Sequence, residues 1–500
     1  MRQLSTLDAQ FLAIETPRTY GHVGGFAVYD PSTAPGGKLE LKDICRTVGE
    51  RLHLLPPFRW RLQQVPFGLD LPYWVDDPDF DLDFHIRDSA VPPPGDDRQA
   101  AETVARIFAR PLDRTRPLWE LYLIHGLEGG RVALLSKVHH SLVDGVSGNE
   151  ILMLLLDDSP EGREIEEAPA GPAGERVPGE LEMLGRGLIG LPGQPLRALR
   201  SLPSALPNLT ELPGANAFPA VPALSKGLSH VRQVLTSEDD GGILEVTSAR
   251  APRTPFNGRI SAHRRFSFGQ VSLDRVKAIK NELGVTVNDV VVALSTTTVR
   301  DWLLERDALP EEPLVAMVPV SVRGEEDAGS YGNRISVMVV PIPTNEPDPL
   351  RRVMRCHELM ESAKGRHNAL PASLLTDATA FIPPAVAALA ARTTVGILGR
   401  TRPPINLVIS NVPGPREPLY CAGAQLLANY PVSAVLDGVG LNITVLSYRD
   451  HIDFGIVADR EQVDDTWSMV EGAQRALHEL DELVCSGGSS RTEADGVSAG

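Results

Sequence analysis

Two adjacent histidines followed by an aspartate and a glycine, His139-His140-Ser141-Leu142-Val143-Asp144-Gly145, form the densest group of chemically capable residues in the chain. An unperturbed imidazole titrates near pH ~6.5, so a histidine can take a proton from a hydroxyl at neutral pH. Neighbouring residues on a strand point to opposite faces, so one histidine of the pair serves chemistry and the other structure. Asp144 can fix the loop by an ion pair or orient an imidazole, and Gly145 permits positive φ and a close backbone approach. Other chemistries fit less well. A metal site would draw on His139, His140 and Asp144, but their spacing lacks the usual i, i+4 ligand pattern and no second ligand cluster accompanies it. A serine hydrolase needs a G-x-S-x-G elbow, which GVSGN at 145–149 does not supply. No phosphate-binding or dinucleotide glycine fingerprint is present. Direct general-base transfer is the simplest chemistry left, against the bland alternative of a surface loop with incidental histidines.

The elements that must position these residues are legible nearby. Glu120 to Ile124 and Arg131 to Val138 alternate like strands around the Gly129-Gly130 turn, and the apolar run ILMLLLDD after the motif reads as a helix. The histidines therefore end a strand and face a loop, the position where open α/β sheets bind ligands. Further on, VSLDRVKAIKNELG predicts a helix closed by Gly284, and TVNDVVVALSTTTVRDWLLE predicts another, opened by a Thr286–Asp289 capping box. Strands are expected at 314–322, 335–342, 405–410 and 440–458, the last a hairpin turning at Arg449-Asp450. A final amphipathic helix from Asp464 to Val484 would bury Trp467, Val470, Leu477, Leu480 and Leu483. Pro117-Leu118-Trp119 at a strand entrance reads as core packing. Ser410-Asn411 before a Pro/Gly turn either serves that turn or points into a cavity. Glu15 and His22 receive no role from the sequence.

The chain has 500 residues, enough for two domains with connecting material. Lys and Arg total 48 against 65 Asp and Glu, a formal charge of −17, which excludes nucleic acid as the partner of the whole surface. The 44 glycines and 42 prolines exceed ordinary usage, and 13 of the prolines fall between Asp157 and Phe256. That stretch reads as an interdomain linker. Its part LEMLGRGLIGLPGQPLRALRSLPSALPNL either packs on a domain or touches lipid. Boundaries are expected at 1–156, 157–256 and 257–484, with a small, polar, disordered tail at 485–500. Cys45, Cys356, Cys421 and Cys485 form no CxxC pair, so reduced thiols are expected and a structural zinc is not. No secretion signal or membrane-spanning stretch is visible; the apolar run at 378–391 is too short to span.

The HHxxxDG string resembles the active-site motif of chloramphenicol acetyltransferase-like, CoA-dependent acyltransferases, a motif that peptide-synthesis condensation domains share. A narrower resemblance, to the bacterial wax ester synthase/acyl-CoA:diacylglycerol acyltransferase family, covers almost the whole chain. It is carried by LSTLDAQFLAIETP and HVGGFAVYD near the start, by Pro117-Leu118-Trp119 ahead of the histidines, and by NDVVVAL, VPVSVR, SNVPGP and PLYCAGAQL in the second half.

The resemblance implies an α/β protein of two acyltransferase-like domains, each a mixed sheet flanked by helices, with an active-site tunnel between them. It implies an enzyme that moves a fatty acyl group from acyl-CoA to diacylglycerol, or to a long-chain alcohol, without an acyl-enzyme. His140 would be the general base, with His139, Asp144 and Gly145 organising its loop. Asn288, Asn411 and Ser410 would lie on the substrate side. No cofactor or metal is expected beyond acyl-CoA as substrate. Only seven lysines occur, so Arg264, Arg265, Arg323 and Arg402 are the candidate cations for CoA. A cytoplasmic protein held peripherally on the inner membrane face or on lipid inclusions would fit, with no nucleic-acid partner. The rivals are a carrier-protein-dependent acyl or condensation enzyme and a non-catalytic lipid-body protein.

Overall fold

The computed structural model describes residues 2–66, 70–142, 154–166, 179, 251–321, 335–368 and 403–494. The first half begins with a short strand β1 (Arg2–Gln3), helix α1 (Thr6–Ala13) and β2 (His22–Asp30). Helix α2 (Leu41–Arg51), β3 (Trp60–Gln63), β4 (Tyr73–Asp76), the single-turn α3 (Leu82–His85), β5 (Ile86–Ala90) and α4 (Asp97–Phe108) follow, leading to β6 (Trp119–His125) and β7 (Val132–His139). The second half runs through β8 (Arg264–Ser272), α5 (Leu273–Leu283), α6 (Val287–Leu304), β9 (Leu314–Ser321), β10 (Ile335–Ile342), α7 (Pro349–Asn368) and β11 (Leu407–Val412). It closes with β12 (Tyr420–Cys421), β13 (Ala424–Val432), β14 (Leu441–Tyr448), β15 (His451–Asp459) and α8 (Trp467–Ala494).

These strands form two mixed six-stranded sheets, the α/β architecture expected. The first has the order β12-β13-β2-β7-β6-β5 and the second β10-β9-β11-β14-β15-β8. Most pairs are antiparallel; β5 with β6, and β11 with both β9 and β14, are parallel. A small sheet, β1-β4-β3, stands beside them. The first sheet is not built from the first half alone, because β12 and β13 come from the chain's last hundred residues and β13 pairs along β2.

That crossing joins the two sheets. Asp453 of β15 accepts the Asn429 amide of β13 at 2.7 Å, and a Cβ on Gly455 would stand 1.8 Å from the Pro431 carbonyl oxygen. The backbones therefore approach as closely as glycine allows. Between them lies a shared apolar cluster in which Phe26 meets Phe268 at 5.2 Å and Phe268 meets Tyr430 at 4.5 Å. Separate cores lie under the helices of the second sheet and on the α2 side of the first.

Local signals act where expected. Ser272 caps α5, Gly284 ends it at φ 69°, and the Thr286–Asp289 capping box opens α6. The β14–β15 hairpin turns at Arg449, φ 53°. Leu118 and Trp119 are fully buried, and the Trp119 indole donates to the Phe58 carbonyl at 2.7 Å, so the Pro-Leu-Trp segment packs the core. Two expectations shift. Leu483 is exposed although Val470, Leu477 and Leu480 on the same helix are buried. The backbone of α8 continues past Val484 to Ala494, over residues expected to be an unstructured tail, since extending a formed helix needs no new nucleus. The acidic start of the linker at 157–166 and its end at 251–256 are described; the stretch at 184–212, the apolar run at 378–391, Arg323 and Arg402 lie outside the described residues. No helix among the described residues is long and apolar enough to cross a membrane.

Candidate active site

Strand β7 lies between β2 and β6, and its last residue, His139, faces His22 across the β2 ladder. The backbone pairing runs one residue past the strand: the His139 amide donates to Leu118 O at 2.9 Å and the His140 amide to Gly21 O at 2.8 Å. A tight turn follows, closed by Leu142 N–H to His139 O at 2.9 Å. The two histidines then part company. His139 is fully buried, whereas His140 is half-buried with its ring stacked on Phe11 of α1, centroids 4.2 Å apart and planes 13° from parallel.

His139 is held on both nitrogens. The Ser141 amide donates to Nδ1 at 3.1 Å, and the Ser141 hydroxyl lies 2.6 Å from the same atom. A backbone N–H can only donate, so Nδ1 is an acceptor and the ring proton sits on Nε2. Nε2 stands 3.2 Å from Oε1 of Glu15, an ion-pair distance without the alignment of a good hydrogen bond. Glu15 is itself fixed: Oε1 accepts the Gly21 amide at 2.7 Å, and Oε2 accepts Arg114 Nη2 at 2.6 Å and Nε at 3.2 Å. Burial by itself would raise this carboxyl, but His139, the Gly21 amide and Arg114 outweigh it and hold it down at about 2. Asp144 and Gly145 of the motif lie outside the described residues.

His22 is also buried; Nε2 meets the Phe108 carbonyl at 2.8 Å and its ring stacks on Tyr20. Burial, reinforced by the Lys137 charge, lowers its pKa well below the usual range, so it stays neutral. Lys137 is fully buried, bound to Arg110 O at 2.6 Å and 3.4 Å from Glu120, and burial brings it down to about 8 despite that carboxylate. These contacts hold the end of α4 against β7, which frames the histidine strand from behind.

In the second half Asn288 and Asn411 come together, the Asn411 amide donating to Asn288 Oδ1 at 3.2 Å. They join the first turn of α6 to the end of β11, where Ser410 lies opposite Thr444 in the parallel register. Val412, one residue on, packs against the cluster that contains Val138 and Leu142 on either side of the histidines. The neighbouring Asp289 is fully buried, and its Oδ2 accepts both the Thr286 amide at 2.9 Å and His357 Nδ1 at 2.7 Å. The sequence gives no sign of His357 because α7 brings it there from far along the chain.

Arg264 is buried, lies over Tyr20 at 5.3 Å, and donates to the carbonyls of Arg18, Ser261 and His263. It is committed to the junction of the halves, which removes it as a CoA cation. Arg265 binds the Val463 carbonyl at 3.1 Å. Among the described residues no group of three or more His, Cys, Asp or Glu is placed to hold a metal ion. A cleft lined by Leu4, Pro57, Trp60, Trp74, Ser141 and Leu142 opens next to the histidine turn, with Arg2 and Asp8 also on its wall.

Comparison with known proteins identifies the family and the fold. The family model described as the wax ester synthase/diacylglycerol acyltransferase catalytic domain matches residues 4–291, and its C-terminal counterpart matches residues 331–481. The chain is 34% identical over 482 residues to a protein of Mycobacterium tuberculosis strain H37Rv named as a probable diacylglycerol O-acyltransferase, covering 95% of this chain and 98% of that one. The solved wax ester synthase/diacylglycerol acyltransferase of Marinobacter aquaeolei VT8 superposes with a TM-score of 0.67 at 29% identity, over 97% of this chain and 100% of that one. The first condensation domain of the CDA synthetase, at 16% identity and a TM-score of 0.50 over 97% and 96% of the two chains, shares the fold alone. The chain belongs to the wax ester synthase/diacylglycerol acyltransferase family of acyltransferase enzymes.

Proposed function

We propose that this acyltransferase moves a fatty acyl group from acyl-CoA to the hydroxyl of diacylglycerol, with a long-chain alcohol as a second acceptor. The observation that carries the reading is the split between the two histidines: His139 is buried and bound on both sides, while His140 stays half-buried at the strand end. A base must reach substrate and a structural imidazole must not.

The reaction needs one proton relay. Neutral His140 takes the proton from the acceptor O–H as the oxygen attacks the thioester carbon. The C–S bond then breaks, and the departing CoA thiolate recovers the proton from the imidazolium. No acyl-enzyme forms. The Asn288–Asn411 pair would supply amide donors to the oxyanion, worth about 3 kcal/mol when well placed. Asp144 and Gly145 would organise the loop after His140, and Ser410 would line the substrate side, along a tunnel between the two sheets. The acyl chain and its acceptor being lipids, the protein would work at the inner face of the cell membrane or on lipid inclusions, attached peripherally through apolar and basic segments such as 184–212.

One assay tests the reading: labelled palmitoyl-CoA given to the purified protein with dioleoylglycerol and hexadecanol in competition. Triacylglycerol, with or without wax ester, is expected on chromatography. Ester from neither acceptor, or turnover of carrier-bound acyl donors only, would overturn it.

A further inference from the structure

Glu15 occupies a position that is costly for a carboxylate. It lies in the loop after α1 with its side chain 16% exposed, where an unpaired charge would be strongly unfavourable. Both of its oxygens are engaged, and the partners belong to the histidine site: Gly21 and His139 on one oxygen, Arg114 on the other. Arg114 Nη2 also donates to Leu12 O at 2.7 Å, so the carboxylate is locked to the end of α1 as well as to the strand. Gly21 links the same groups by backbone, giving its N–H to Glu15 and its carbonyl to the His140 amide. No side chain fits at position 21, because a Cβ there would lie 2.7 Å from His139 Nε2 and 3.4 Å from Glu15 Oε1.

We propose that Glu15 is a positioning residue for acyl transfer: it fixes His139 from the Nε2 side, His139 fixes the turn through Ser141, and that turn aims His140, whose ring Phe11 of the same N-terminal segment seats from the opposite side. The inference rests on His140 being the general base. One segment, from Phe11 to Gly21, thus grips both histidines of a motif more than a hundred residues away. The grip has an electrostatic side. As His140 becomes an imidazolium in the transition state, the aromatic face of Phe11 and the carboxylate held against the adjacent His139 both favour the charge. The other charged groups facing this corner are Arg114, bound to Glu15, Lys137, bound to Glu120, and Arg2 and Asp8 on the wall of the cleft beside the turn; His22 stays neutral.

The test uses the full-length enzyme and two variants with opposite charge effects. Glu15→Gln keeps the shape and removes the negative charge; Arg114→Met removes the positive one. With palmitoyl-CoA and dioleoylglycerol, E15Q is expected to lower kcat by on the order of 10- to 100-fold, the range for loss of an orienting partner, with KM little changed. The acid limb of its kcat/KM profile should move to lower pH, and that of R114M to higher pH. Wild-type limbs in both variants, or shifts of the same sign, overturn the proposal. Should the wild-type protein form no ester, the functional reading fails separately, and ring-nitrogen NMR shifts of His139 still decide this one. A change between wild type and E15Q supports the contact, and unchanged shifts overturn it.

Discussion

His139 and His140 have the same chemistry and opposite surroundings, and what separates them is one peptide unit at a strand end. The first points inward and meets the Ser141 amide and the Glu15 carboxylate; the second lies half-exposed under Phe11. Alternation along a strand made that division legible in the sequence, and the turn chemistry around it follows from the same short stretch. Glu15 was not legible, since nothing local marks a glutamate near the N-terminus as the partner of a buried imidazole. The fold delivers it, through the backbone pairing of Gly21 with His140. Gly21 is therefore a sensitive small residue of the site. Gly21→Ala would drive a methyl into His139 Nε2, and overpacking of this kind costs about 1–3 kcal/mol. We expect a lower midpoint of urea denaturation and a reduced kcat; wild-type values for both would show that the corner is not tightly built.

At the scale of elements, strands β13 and β15 carry the join between the sheets, and a buried carboxylate sits in it. Asp453 accepts the Asn429 amide at 2.7 Å and Gln270 at 2.9 Å, and His451 Nε2 stands 3.4 Å away. Burial raises its pKa from the ordinary 3.8 to about 6, against the lowering effect of His451 and the two hydrogen bonds. The folded protein holds this proton more tightly than the unfolded chain does. The charged form is thus a burden above the folded pKa, and that burden lifts as the pH falls through it. Asp453→Asn should gain thermal stability relative to wild type at slightly alkaline pH, with the difference shrinking as the pH is lowered to 5. A difference that stays constant with pH would show that Asp453 does not titrate there. The helices α5 and α6 and the β14–β15 hairpin were readable because caps, αL glycine and alternation are local signals. The insertion of β13 beside β2 was not, because strand pairing at this separation leaves no trace in periodicity. Arg264 misled for a related reason: a strand-end arginine looks available to an anion until the fold supplies three carbonyls to bind it.

At the scale of the whole molecule, the two halves form one machine rather than two beads. The first sheet contains strands from both, the aromatic cluster between the sheets draws on both, and Val412 at the end of β11 packs against the core that carries the histidine turn. The acidic net charge of −17 is compatible with an anionic CoA substrate only through local cations, since Arg264 is occupied within the junction. In the proposed reaction, acyl transfer depends on half-buried His140 as its base. The most direct measurement is single-turnover triacylglycerol formation from palmitoyl-CoA and dioleoylglycerol by His140→Ala, alongside its circular dichroism and melting curve. A folded protein is expected whose rate falls by about 100-fold or more, the scale of losing a general base. Triacylglycerol formed at the wild-type rate by folded H140A would contradict it.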